Sequence, residues 1–251
     1  MTHFFLPPEI SPWFAALLVA ASFCTSALTA ALGLGGGVAM LALMATGMPI
    51  ASLLPVHGIV QLGSNFGRSV IQFRHIVWRL VLWFLIGSII GIALGGWVVS
   101  FIPDSLAKMT MALFILWSVY GKKPKPEAVS HLFFMVGGTL TSFATMIVGA
   151  TGPLVAALLS ARGLRKQPLI ASHAACMVLQ HGLKILVFGL IGFAYMQWLP
   201  MLAAMIVSGV LGTLAGTMAL DNLPEQLFRL AFRIVMTLLA LQILWSAFSR
   251  Q

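Results

Sequence analysis

Three polar residues near the middle of the second half, His173, Gln180 and Lys184, are spaced seven and eleven apart. At 100° per residue Gln180 and Lys184 each project within about 20° of His173 on a helix, giving an otherwise apolar segment one polar face. His57, Ser64 and Arg68 repeat that spacing in the first half, with Gln61 one turn from His57 and Asn65 beside them. All five acidic residues, Glu9, Asp104, Glu127, Asp221 and Glu225, fall between apolar runs. The polar faces therefore offer neutral or cationic ligands and no carboxylate. Such a set suits a small oxyanion such as sulfite, a sulfonate, sulfate or a carboxylate, and suits a metal ion or an amine poorly. If protons drive movement of that anion, a histidine must carry them, being the side chain at this depth that titrates near neutrality.

Two glycine-rich breaks stand just before these faces: Gly33-Leu34-Gly35-Gly36-Gly37 and Gly149-Ala150-Thr151-Gly152-Pro153. Each ends a long apolar run and opens a short one, Val38 to Ala45 and Leu154 to Ala161, too short to span a bilayer at 1.5 Å per residue. A helix that begins inside the membrane presents unpaired N–H groups and the positive end of its dipole, so Val38 and Leu154 are expected to start half-helices whose N-termini hold an anion. Close approach would come from the glycines and a hydroxyl donor from Thr151. The candidate binding residues are therefore Gly35, Gly36, Gly37, His57, Gln61, Asn65, Thr151, Gly152, His173, Gln180 and His181, with Arg68 and Lys184 supplying charge. A bland alternative is that the glycines only let helices pack closely and that Arg68 and Lys184 only snorkel to headgroups.

Positioning these residues requires a membrane. Of the 251 residues 60% are hydrophobic and 8% charged, against roughly 45–50% and about 25% in a soluble domain, and mean hydropathy is +1.04. A soluble enzyme is excluded. The net charge of +9 follows loops that the positive-inside rule would place in the cytoplasm, so it reports topology and not nucleic-acid binding. Long apolar runs cover roughly 12 to 32, 50 to 67, 77 to 100, 105 to 120, 130 to 148, 168 to 190, 198 to 219 and 224 to 248. The expected fold is an all-α polytopic membrane protein with eight long and two short membrane segments. The first run lacks a basic segment before it and is read as a retained span.

The two breaks lie 116 residues apart, and the chain keeps matching at that offset: Gly36 with Gly152, Gly47 with Gly163, His57 with His173, Arg68 with Lys184, and Asn65 opposite His181. Further on the offset becomes 121, pairing Gly91 with Gly212, Gly95 with Gly216, Pro103 with Pro224 and Leu106 with Leu227. Two internal repeats are expected, residues 1–120 and 130–251, joined by a cytoplasmic linker at 121–129. Arg68, Arg74 and Arg79, with Lys122, Lys123 and Lys125, mark inside loops. Parallel repeats would put Arg162, Arg165 and Lys166 outside; inverted repeats put them inside, with Gly192 to Gln197 and both termini outside. The basic loops favour the inverted arrangement, in which each half crosses five times.

Other features have simpler readings. Cys24 and Cys176 are expected to be buried apolar residues. Most tryptophans, including Trp13, Trp97, Trp117, Trp198 and Trp245, fall near helix ends as an interfacial belt would. Arg229 and Arg233 mark the cytoplasmic start of the last helix. The sequence carries no fingerprint of a nucleotide, zinc or serine-hydrolase site, so no catalytic residue, metal or cofactor is expected.

The Gly33 to Gly37 break after the first helix, the two-repeat plan, the compact length and the basic loop after the next long helix together resemble the sulfite exporter TauE/SafE family, of the toluene sulfonate uptake permease superfamily. The resemblance implies a multi-pass protein of the bacterial inner membrane that moves sulfur-containing or organic anions, acting as a permease or exporter, with oligomers open. An anion-selective channel shares nearly all of these electrostatics and is the alternative. A membrane-embedded enzyme would need a nucleophile, a metal cluster or an acid–base pair.

Overall fold

A computed structural model describes residue 7 and residues 9–32, 35–121, 130–164, 167–219 and 225–249. The 121–129 linker past Gly121, with Lys122, Lys123 and Lys125, lies outside the described residues, as do Gly33, Leu34, Arg165, Lys166, Asp221 and Pro224. The described residues form ten α-helices: α1 Pro12–Leu32, α2 Gly36–Met44, α3 Ile50–Ile71, α4 Trp78–Val99, α5 Asp104–Tyr120, α6 His131–Val148, α7 Gly152–Ala161, α8 Gln167–Leu190, α9 Leu199–Ala219 and α10 Glu225–Phe248. Short 3₁₀ turns at Phe73–His75 and Tyr195–Trp198 precede α4 and α9.

Local chemistry sets several of these boundaries. Ser11 and Ser130 cap α1 and α6 by accepting from the N–H groups of Phe14 (3.2 Å) and Phe133 (3.3 Å). Pro49 and Pro103 precede α3 and α5 in extended backbone. Gly149 ends α6 at φ 92°, and Gly35 precedes α2 at φ 105°, both in the left-handed region that favours glycine. The half-helices begin at Gly36 and Gly152, two residues before the expected Val38 and Leu154. Glycine is tolerated there because the first turn of a helix has unpaired N–H groups in any case, and Pro153 fits the same first turn.

Among the described residues five stretches are long and apolar enough to cross a membrane: Pro12–Ala30, Trp78–Val99, His131–Val148, Gln167–Leu190 and Tyr195–Gly216. That is fewer than the eight expected. Two reasons are visible in the chain: α3 carries His57, Gln61, Ser64, Asn65 and Arg68 in its 22 residues, and α5 is only 17 residues long. Large apolar side chains face outward along the spans, among them Leu82, Ile86 and Ile90 of α4, Leu132 and Leu140 of α6, and Val207 and Leu211 of α9. Such faces are at home against lipid tails.

The packing crosses between the two halves of the chain. α4 lies against α6, α1 against α9, α5 against α10, and α3 against α8 at the centre. Glycines set the closest of these contacts. A Cβ on Gly87 or Gly91 would collide with the carbonyls of Met135 or Thr139 on α6, and one on Gly212 or Gly216 with those of Phe23 or Ala27 on α1. Apolar burial gives little drive between helices in lipid, so this backbone proximity and interhelical hydrogen bonds must hold them. Ser22 Oγ donates to the Met205 carbonyl and Ser208 Oγ to the Val19 carbonyl, both at 2.7 Å.

At the centre, Gly58 near the start of α3 lies against Lys184 and Ile185 near the end of α8. Val77, just past the end of α3, donates its N–H to Ser172 Oγ near the start of α8 at 2.9 Å. The two helices therefore run antiparallel.

Two expectations are corrected. Trp198 is fully buried, its ring 6.2 Å from that of Phe193, and belongs to the core, not the belt; Trp13, Trp97 and Trp245 are exposed. The 3₁₀ turn before α9 turns Trp198 inward, which a position near a helix end does not reveal. Cys24 is exposed while Cys176 is buried, because Cys24 sits on the face of α1 turned away from α9.

Candidate functional site

The α3–α8 pair and the starts of α2 and α7 enclose a cavity. Its wall comprises Gly35, Gly37 and Val38 from the first break; His57, Gln61, Asn65 and Arg68 from α3; Ala150, Gly152 and Pro153 from the second break; His173, Met177 and His181 from α8; and Thr29 from α1. Eight of the eleven candidate binding residues meet there, together with Arg68. Their spacing of three, four, seven or eight residues along α3 and α8 keeps each set on one face, and the antiparallel crossing turns the two faces toward each other.

The histidines are held by backbone carbonyls. Nε2 of His57 lies 2.9 Å from the Gly37 carbonyl and Nε2 of His173 lies 3.1 Å from that of Gly152. A carbonyl only accepts, so each Nε2 carries the hydrogen and each neutral ring keeps a lone pair on Nδ1. The His57 and His181 rings meet edge to face, 5.8 Å between centroids. Nδ1 of His57, His173 and His181 is buried without a hydrogen-bond partner.

Arg68 is 4% exposed. Its Nη2 donates to Asn65 Oδ1 at 3.2 Å, and Asn65 Nδ2 in turn donates to the Gln61 carbonyl at 2.7 Å. Nε and Nη1 of Arg68 are buried with no partner. Among the described residues no carboxylate lines the cavity. A buried guanidinium with free donors and no counter-ion is a strong attractor for an anion.

Three candidates lie elsewhere. Gly36 faces α1, where a Cβ would collide with the Thr25 carbonyl and Thr29 Oγ1. Thr151 Oγ1 donates to Gln180 Oε1, Gln180 Nε2 to Ser142 Oγ, and Ser142 Oγ to Ser88 Oγ, each at 2.9 Å. This chain of bonds ties α7, α8, α6 and α4 together and satisfies Thr151 and Gln180 internally. Lys184, fully buried, donates from Nζ to the Gly149 carbonyl at 3.1 Å, which also accepts from Thr145 Oγ1 at 3.1 Å. Ser64, the third member of the first polar face, faces Ser26 at 3.4 Å.

Five wall residues were not anticipated: Thr29, Val38, Ala150, Pro153 and Met177. One was findable from the repeat, since the offset of 116 pairs the candidate Gln61 with Met177. No three His, Cys, Asp or Glu side chains among the described residues are grouped to hold a metal ion.

The family model for the sulfite exporter TauE/SafE matches residues 18–243, reaching from α1 into α10. The chain belongs to the TauE/SafE sulfite exporter family. No curated protein and no solved structure matches it. TauE/SafE membership makes the chain a membrane transport protein and not an enzyme, with a small sulfur-containing anion as the implied class of cargo.

Proposed function

We propose that this TauE/SafE chain is a secondary transporter of a small anion, a sulfur oxyanion, organosulfonate or organic acid, bound near the membrane midplane between the broken helices α2 and α7. The observation that carries this reading is Arg68, buried in the cavity wall with Nε and Nη1 unpartnered and no carboxylate beside it. The guanidinium holds the anion's charge. The amides of Gln61 and Asn65 and the half-helix N-termini at Gly37 and Gly152 surround it with dipoles. Gly36 acts indirectly, by letting α2 start tightly against α1; Thr151, Gln180 and Lys184 hold the α7 break in place.

We take the chain as two inverted repeats, residues 1–120 and 130–251, each crossing the bacterial inner membrane five times when the half-helix is counted, with both termini outside. The antiparallel run of α3 against α8 supports this, since parallel repeats would point those two equivalent helices the same way. Helix lengths supply a second support: 21, 9, 22, 22 and 17 residues from α1 to α5, then 18, 10, 24, 21 and 24 from α6 to α10.

Purified protein in proteoliposomes, screened against sulfite, sulfonates, sulfate and small carboxylates, tests the reading. Saturable uptake with counterflow is expected for at least one of these anions. Flux that neither saturates nor shows counterflow would make the protein a channel.

A further inference from the structure

Accepting the cavity as an anion site, as just proposed, its acceptors carry information that its donors do not. His173 gives its Nε2 hydrogen to the Gly152 carbonyl at 3.1 Å, leaving Nδ1 as a buried, unpartnered lone pair. The titratable and charged groups that share the cavity wall with this ring are Arg68 and His57 from α3 and His181 on α8 itself, while α7 presents the Gly152 carbonyl. Lys184 is engaged by the Gly149 carbonyl. No carboxylate among the described residues lines the cavity to hold a second proton on the ring.

The cavity wall therefore pairs one cation with lone pairs. A dianion would leave one negative charge unmatched by Arg68. A monoanion without an acidic hydrogen would match the charge but leave the Nδ1 lone pair without a donor. An unmet buried acceptor is costly, and sites built around one reject analogues lacking the donor.

We infer that the cavity selects a monoanionic oxyacid that still carries one acidic O–H, its charged oxygens on Arg68 and its hydroxyl donating to His173 Nδ1. A proton thus travels with each anion, on the substrate itself. Hydrogen sulfite is an ion of this class; sulfate and alkanesulfonates are not.

Methanesulfinate tests this closely. It matches hydrogen sulfite in shape and charge, with a methyl in place of the hydroxyl, and it stays a monoanion throughout the neutral range. Binding of sulfite and of methanesulfinate to the purified full chain is measured by calorimetry from about pH 6 to about pH 8.5, with a tenfold change in affinity corresponding to one lost or gained proton per pH unit. Sulfite affinity, reckoned per total sulfite, is expected to fall toward about tenfold per unit as hydrogen sulfite deprotonates, with methanesulfinate at least about tenfold weaker at pH 6 and flat with pH. In His173→Leu, which offers neither donor nor acceptor, the preference for sulfite is expected to disappear, the two ligands binding alike. Equal binding of both ligands by the unaltered protein at low pH would overturn the inference, as would a parallel fall of both with pH, which would put the proton on the protein. If neither ligand nor any other small anion binds, the anion-site reading itself is what fails. The wild-type comparison stands even if His173→Leu does not fold.

Discussion

Arg68 and Lys184 each stand eleven residues beyond a cavity-lining histidine, His57 and His173, yet they are satisfied differently. Lys184 Nζ is spent on the Gly149 carbonyl at 3.1 Å, whereas Arg68 keeps two donors without a partner in the cavity wall. The antiparallel α3–α8 pair thus has at one end a cation tied to the break between α6 and α7 and at the other a cation with unpartnered donors.

Arg68→Met should weaken anion binding by about 10- to 100-fold, the worth of a charge-assisted contact. It should leave thermal stability unchanged or higher, because it removes a buried cation that lacks a counter-ion. Calorimetric binding and thermal unfolding on the same preparation check both halves of this expectation. A large drop in stability would instead mean that the guanidinium holds the fold.

Lys184→Met should spare binding. Removing Nζ takes away a buried cation and leaves the Gly149 carbonyl its bond from Thr145 Oγ1, so anion affinity is expected to change far less than in Arg68→Met, with little change in unfolding temperature; the same calorimetric and thermal measurements check this.

The two break glycines should separate. Gly36→Ala drives a methyl into the Thr25 carbonyl and should cost about 1–3 kcal/mol or prevent accumulation of folded protein. At Gly152 the nearest atom to a new Cβ is His173 Nε2 at 3.4 Å, an ordinary contact, so Gly152→Ala should fold and alter anion affinity. Thermal unfolding and binding of both variants check the contrast.

Much of this site was legible because helical periodicity places residues on a face without any knowledge of neighbours. His57, Gln61, Asn65, Arg68, His173 and His181 meet in the cavity for that reason. Periodicity does not say which way a helix is rotated in the bundle. Gly36 turns to α1, Gln180 is absorbed by Thr151 and Ser142, and Trp198 points into the core, each decided by tertiary packing. The polar load of α3, which singles it out in the sequence, is also what keeps it below the hydropathy of an ordinary span.

Topology has its own test. Arg162→Cys, at an exposed position just after α7, should label only from the cytoplasmic side, together with cysteines placed in the loop between α3 and α4. Labelling at 162 from the periplasm alone would restore the parallel arrangement.

The central claim, that the cavity walled by α3 and α8 is where a small anion is bound and carried, is tested most directly by counterflow of labelled sulfite in proteoliposomes holding either the unaltered protein or Arg68→Met. The account predicts a saturable overshoot for the unaltered protein and none for a folded Arg68→Met. Equal overshoot in both would contradict it, because the anion would then be crossing by a route that does not pass Arg68.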